Sequence, residues 1–95
     1  MNKKKLRYAI AKEIDKGNAA LSEGDFGVSE KEFDDAVNFL SREGYLTDIS
    51  YADNRPLMFE GSASLTEKGE SYLSENSALS KGYKGLKEIR DWLKL

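Results

Sequence analysis

Whatever chemistry this chain performs must proceed without the two side chains that most often carry it near neutral pH, since its 95 residues include neither histidine nor cysteine. Histidine has an ordinary pKa close to neutrality and is the commonest metal ligand. Without it no Ser-His-Asp or Cys-His arrangement can be assembled. Lack of cysteine removes disulfides, thiolate nucleophiles and thiolate zinc sites, and fits a reducing compartment. The remaining candidates do not converge. Asp34 and Asp35 are adjacent, so on a helix they point about 100° apart and cannot face each other as an acid–base pair. Asp48 and Asp53 flank a turn but lack the Asp-x-Asp-x-Asp-Gly spacing of a calcium loop. Gly82-Tyr83-Lys84-Gly85 lacks the spacing and the closing Gly-Lys-Ser/Thr of a phosphate loop. Ser29 has a structural task as a helix cap. These residues point to no enzyme, no metal and no cofactor.

Binding chemistry is better represented, and its charges are unevenly placed. Residues 1–20 carry six basic and two acidic side chains, net +4. Residues 21–60 carry three basic and ten acidic, net −7, and residues 61–95 carry six basic and five acidic, net +1. Lys3, Lys4, Lys5 and Arg7 lie at one end of the chain, and Lys81, Lys84, Lys87, Arg90 and Lys94 at the other. Packed together, the two ends would make one basic surface for nucleic acid or an acidic partner, with Tyr8, Tyr83 and Trp92 nearby. The alternative is simple solvation of two exposed helix faces, which the interspersed Glu88 and Asp91 favour. Arg55, at a predicted hairpin tip, could reach a phosphate or remain solvated. The acidic middle, above all Glu30, Glu32, Asp34 and Asp35, is a candidate docking face for a basic protein. Tyr45, Tyr51, Phe59 and Tyr72 could stack on a ligand, but their alternating strand and helical positions read more readily as core.

These residues need elements to hold them. Leu6, Ile10 and Ile14 recur at spacing four and predict a first helix that closes at Gly17-Asn18. Ala19, Ala20 and Leu21 suggest a very short strand. Ser22 caps one or two helical turns that end at Gly27. Ser29 followed by Glu32 is a capping box, with Val28 and Phe33 placed as a hydrophobic staple. Phe33, Ala36, Val37 and Leu40 then predict a helix over Glu30–Glu43, closed by Gly44. Tyr45 to Tyr51, a turn over Ala52-Asp53-Asn54-Arg55, and Pro56 to Glu60 read as a β-hairpin. A helix over about Glu67 to Glu75, capped by Thr66 or Ser64, follows, and Asn76-Ser77 breaks it. Leu79 to Leu95 places Tyr83, Leu86, Ile89, Trp92 and Leu93 on one helical stripe. Leu79, Leu86 and Leu93 recur every seven residues with Ile89 between them. That stripe is either a short dimer seam or a cover for the first helix. Two heptads are few for a free-standing coiled coil, and a chain this short needs the burial.

A short helix, a tight turn and a longer helix running through Gly44 into a hairpin resemble a winged helix. Leu40-Ser41-Arg42-Glu43-Gly44-Tyr45-Leu46 and Leu65-Thr66-Glu67-Lys68-Gly69 are similar to the end of the third helix and the start of the fourth in many bacterial winged-helix regulators. A closer resemblance lies in Lys5-Leu6-Arg7-Tyr8-Ala9-Ile10, Phe33-Asp34-Asp35-Ala36-Val37-Asn38-Phe39-Leu40, Leu65-Thr66-Glu67-Lys68-Gly69-Glu70 and Lys87-Glu88-Ile89-Arg90-Asp91-Trp92-Leu93. Together these resemble the YjcQ-like family across nearly the whole chain. The resemblance implies a small protein of bacteria or their prophages, built of helices with a small sheet. It carries no mechanism and no functional residue to transfer.

The sequence therefore predicts one α+β domain over residues 1–95. It would be a winged helix, with a three-helix core and a β-hairpin wing, plus two C-terminal helices. The last of these, an amphipathic helix over 78–95, would pack on the domain or at a dimer interface. No stretch approaches the roughly 18 apolar residues of a membrane span, and no signal-like apolar run follows the basic N-terminus, so a cytoplasmic location is expected. The function expected is non-enzymatic and protein-binding, with a homodimer compatible with the heptad. The alternative is a DNA-binding regulator acting as a dimer. The acidic third helix disfavours it, because reading a major groove calls for Arg, Lys, Asn or Gln where this helix carries carboxylates.

Overall fold

The computed structural model describes residues 2–18, 20–58 and 63–94, and among them five α-helices and two short antiparallel ladders. Helix α1 (Lys3–Asp15) starts where the Asn2 side chain accepts from the Lys5 amide. It ends where the Gly17 N–H donates to Ile14 O and the Asn18 N–H to Glu13 O. That pair of bonds is a Schellman closure, and it needs the left-handed φ of +95° that Gly17 adopts. The same pair closes α2 (Glu23–Phe26) at Gly27 and Val28, and α3 (Glu30–Arg42) at Gly44 and Tyr45. Both helices open with a capping box, Ser22 with Asp25 and Ser29 with Glu32. Local side-chain chemistry thus sets both ends of α2 and α3.

After α3 the chain forms a nested hairpin. β1 (Leu46–Thr47) pairs with β4 (Ser64–Leu65), and β2 (Ser50–Ala52) pairs with β3 (Arg55–Leu57). Ala52 opposite Arg55 leaves Asp53-Asn54 as a two-residue turn, with φ of +52° and +65°. Two positive φ values mark a type I′ geometry, which Asp and Asn tolerate better than other side chains with a Cβ. Asp48, at φ +63°, sits where the two ladders part. Helix α4 (Glu67–Glu75) is capped by Thr66, whose hydroxyl accepts from the Gly69 amide at 2.9 Å and donates to Gly44 O at 2.7 Å. That one side chain ties the start of α4 to the end of α3.

Two predicted elements differ from the structure. Ala20 and Leu21 belong to no strand, and Ala19 lies outside the described residues. Leu21 is instead buried singly in the core. The returning strand predicted over Pro56 to Glu60 is β3 over Arg55–Leu57, and Phe59 and Glu60 lie outside the described residues. The larger correction concerns the C-terminus. No continuous helix runs over 78–95. Ser77–Ser80 and Leu86–Glu88 are 3-10 turns, and α5 is confined to Ile89–Lys94. Gly82 and Gly85, at φ +81° and +98°, interrupt the helical periodicity that the leucine spacing suggested.

The core gathers around α1, where Leu6, Tyr8, Ala9, Ile10, Ala11 and Ile14 are all buried. α3, α4, β4 and α5 all pack against it. α3 contributes Phe33, Ala36, Val37 and Leu40, α4 Tyr72 and Leu73, and α5 Ile89, Trp92 and Leu93. Within this apolar interior lies one charged group among the described residues, Glu13, with 2% exposure. Its carboxylate accepts from the Tyr83 hydroxyl, from Asn18 Nδ2 at 2.9 Å and from Lys16 Nζ at 3.4 Å. Burial alone would raise the Glu13 pKa, but the bonds from Tyr83 and Asn18 and the charge of Lys16 outweigh it, and the net shift is downward. Burial and the Glu13 contact push the Tyr83 hydroxyl the opposite way. Glu13 therefore anchors a stretch of chain seventy residues away.

Two predictions follow from this packing. A Cβ at Gly69 would lie 2.3 Å from Tyr45 O and 2.8 Å from Leu65 Cγ, with backbone on one side. Gly69→Ala is expected to destabilise by about 1–3 kcal/mol, overriding the roughly 1 kcal/mol that alanine gains in a helix. Thermal melts should show a fall of about 4–8 °C per kcal/mol, and an unchanged Tm would mean that α4 does not press on Tyr45. Glu13→Gln is expected to cost about 1–3 kcal/mol at pH 7 by weakening buried charge-assisted bonds. Because the folded pKa lies below the ordinary 4.5, this contribution is present above that value and is lost as pH falls through the folded pKa. The gap between the urea midpoints of wild type and variant should therefore be full at pH 7 and narrow as pH falls below 4.5.

Candidate interaction surfaces

The α2–α3 unit and the hairpin form the first surface, and Arg55 joins them. The Arg55 Nε donates to Asp34 Oδ2 at 2.7 Å and Nη2 donates to Asp34 Oδ1 at 3.0 Å. Nη2 also reaches Glu23 Oε1 at 3.1 Å, and Nη1 lies 3.5 Å from Glu30 Oε1. The paired bonds match a planar fork to a planar carboxylate. They push the guanidinium pKa further above its ordinary value, Asp34 contributing most. On the neighbouring strand, the Tyr51 hydroxyl donates to Asn38 Oδ1 at 2.9 Å. The hairpin thus leans on α3, and a predicted contact residue and two members of the predicted acidic face bind one another.

The other acidic residues are engaged as well. Glu32 accepts from the Ser29 amide at 2.9 Å within the capping box, which lowers its pKa. Asp35 pairs with Lys31 at 2.8 Å across one helical turn, and both are exposed. The charge tally of residues 21–60 is therefore a poor guide to the field outside: Glu23, Glu30, Asp34 and Asp35 each face a cation of the same segment.

The two ends of the chain meet at Trp92. Lys5 Nζ donates to Trp92 O at 3.0 Å and stands 5.0 Å from the indole ring. Trp92 Nε1 donates to Lys81 O at 3.2 Å, and its ring meets Tyr83 edge-on at 4.9 Å and Tyr8 at 6.5 Å. Tyr8 and Trp92 are 2% exposed, so they are core and not stacking platforms. Arg90 Nη2 donates to Gly24 O at 2.7 Å, and its stem fills the space where a Gly27 Cβ would be. Arg90 is thus a strut between α5 and α2. Lys3, Lys4, Lys81, Lys84 and Lys87 are exposed, and none of the five has an ion pair among the described residues. Arg7 takes another course, lying 3.8 Å above the centroid of Phe39.

The heptad residues pack within the chain itself. Ile89 and Leu93 are 0% and 5% exposed within the chain's own core, and Leu79 and Leu86 pack against it from irregular segments. Of the aromatic candidates, Tyr72 is buried with its pKa raised to about 12, chiefly by burial. Tyr45 stacks on Tyr72 at 4.5 Å, Tyr51 is 52% exposed, and Phe59 lies outside the described residues. Among the described residues no group of acidic side chains could hold a metal ion, and no buried side-chain polar atom lacks a partner. Sequence reasoning missed the Glu13–Tyr83 contact. Its only signal was a glutamate between Ile10 and Ile14 on an apolar stripe.

Arg55→Met should remove the link between hairpin and α3 while keeping the stem. Amide exchange at Ser50–Leu57 is expected to quicken with the α1 amides unchanged. High salt should produce a smaller shift of the same kind in the wild type, because partly exposed ion pairs are screened. Unchanged exchange in the hairpin would show that Arg55 does not hold it down.

With this geometry described, the relatives can be placed. A family model described as YjcQ protein matches residues 3–92. The uncharacterised protein YjcQ of Bacillus subtilis strain 168 is 61% identical over 94 residues, spanning 99% of this chain and 100% of that protein. The solution NMR structure of the YjcQ protein from Bacillus subtilis shares 60% identity, with a TM-score of 0.69 over 76% of this chain and 92% of that one. Match length, identity and shared fold agree, and the chain belongs to the YjcQ family.

Proposed function

We propose that this protein is a non-enzymatic interaction module of winged-helix type, acting inside the cell on a protein partner. α2 and α3 would be the helix-turn-helix pair and the nested hairpin the wing. The observation that carries the reading is the Arg55 clamp on α3. A recognition helix reads DNA with donors directed at base edges and cations at phosphates. Here Asp34, Glu30 and Asn38 face the protein's own hairpin, and the one cation of the hairpin's β3 is consumed by carboxylates. DNA approaching α3 would have to displace those bonds and would then meet the released carboxylates.

A second reading keeps DNA as the ligand but moves it to the termini, supported by the convergence of Lys5, Lys81 and Trp92. Fluorescence anisotropy with labelled random duplex DNA separates the two. The protein-binding reading expects no micromolar association at about 50 mM salt. A binding curve that collapses near 200 mM, and that is abolished by Lys84→Glu with Lys87→Glu, would establish the terminal DNA surface instead.

A further inference from the structure

Four arginines occur in the chain, and the structure spends them unequally. Arg55 and Arg90 are tied to carboxylates and a backbone carbonyl. Arg7 and Arg42 are directed at a single ring, their guanidinium carbons 3.8 Å and 5.7 Å from the Phe39 centroid. Among the described residues Arg7 has no carboxylate partner although it is half-buried. Arg42 reaches only Glu43, at 3.9 Å, with both side chains well exposed. Both arginines line a cleft of about 350 Å³ between α1 and α3, whose floor is Leu6, Ala36 and Phe39.

We infer that this cleft receives a carboxylate-bearing, partly apolar segment of a protein partner. The inference rests on the protein-binding reading and names the partner's chemistry. Two guanidinium groups beside one ring repel each other, and an anion between them would relieve that cost. A guanidinium resting on a ring keeps its edge N–H groups for a planar acceptor, and a carboxylate matches them two by two. The apolar floor offers burial to a neighbouring aliphatic or aromatic side chain. Its volume lies near the lower end of the range for ligand pockets, which suits a few side chains of a peptide.

The other rim of the cleft decides against nucleic acid. Glu32 and Asp35 line it, and Lys3, which also lines the cleft, draws on both without forming an ion pair with either among the described residues. A phosphodiester chain would meet these carboxylates at every approach. A single carboxylate can bind beside Arg7 and Arg42 and avoid them. Phe39 also cannot serve as a stacking platform for a base where Arg7 covers it.

The test is an NMR titration of the isotope-labelled full chain, reading backbone amides and arginine Nε–H signals. The probe is an N-acetylated, C-amidated peptide with a single glutamate between leucines in a glycine-serine frame. Its expected effect is saturable shifts at Arg7, Phe39 and Arg42 with a Kd of about 1 mM or below. The same peptide with glutamine in place of glutamate should bind at least about tenfold more weakly, the loss of one charge-assisted pair. Arg7→Gln with Arg42→Gln should abolish the shifts, and the glutamine peptide tests the same point on the unaltered protein should that variant misfold. Equal binding of both peptides, or no shift at several millimolar, overturns the inference but leaves the protein-binding reading in place. Saturation of the same signals by a short DNA duplex overturns both.

Discussion

A thirteen-residue helix with apolar side chains around most of its circumference cannot be covered by a single neighbour, and α1 is such a helix. Tyr8, Ala9, Ile10 and Ala11 are consecutive, and all are buried. Consecutive residues on a helix point about 100° apart, so four of them look in every direction. Covering them takes α3 on one flank, α4 and β4 on another, and the C-terminal segment on what remains. In a chain this short that draws on elements from both the middle and the end of the sequence. This is why the last residues pack back on their own domain and why Ile89, Trp92 and Leu93 are core side chains.

A regular helix over the whole C-terminal segment would have run past α1 in a straight line. The actual path bends twice, and polar bonds hold the bends. Tyr83 reaches Glu13, Trp92 reaches Lys81 O, Lys5 reaches Trp92 O, and Arg90 reaches Gly24 O. Three of the four end on backbone carbonyls, Lys81 O, Trp92 O and Gly24 O, and the fourth on the Glu13 carboxylate. An irregular segment has no ladder to satisfy its backbone, so side chains must do it. Glu13 shows the cost of the arrangement: a carboxylate taken from water is tolerable only with several donors around it, and here a phenol, an amide and an ammonium group supply them.

These contrasts explain what could be read from the residues alone. The ends of α2, α3 and α4 were readable because their causes are local: Ser22 with Asp25, Ser29 with Glu32, Thr66, and the glycines after each of the first three helices. The hairpin turn was readable for the same reason, from Asp53-Asn54. The C-terminal segment misled because Leu79, Leu86 and Leu93 keep a seven-residue period although they lie in three separate elements, two 3-10 turns and α5. Gly82 and Gly85 were the contrary signal, two helix-weakening residues within one turn. The Glu13–Tyr83 and Arg55–Asp34 contacts span seventy and twenty-one residues, and no local pattern encodes a meeting that distant. The family resemblance, by contrast, was carried by short phrases along the whole chain and holds.

Charge makes the same distinction at the level of function. Summed by segment, the middle of the chain looks like an acidic face offered to a basic partner. Folded, its carboxylates neutralise Arg55 and Lys31 or cap α3, so the formal charge is largely spent on the fold. The converse holds at α1. Lys3, Lys4 and Lys5 occupy the first turn of a helix that has no acidic residue there, where the dipole already disfavours cations. Arg7 follows one turn later, with an aromatic ring and no carboxylate to receive it. Fold stability would be better served by a glutamate in that turn. Beside the self-neutralised acidic face, Arg7 rests on Phe39 with no carboxylate partner among the described residues, and it is there that the carboxylate proposed for the cleft would bind.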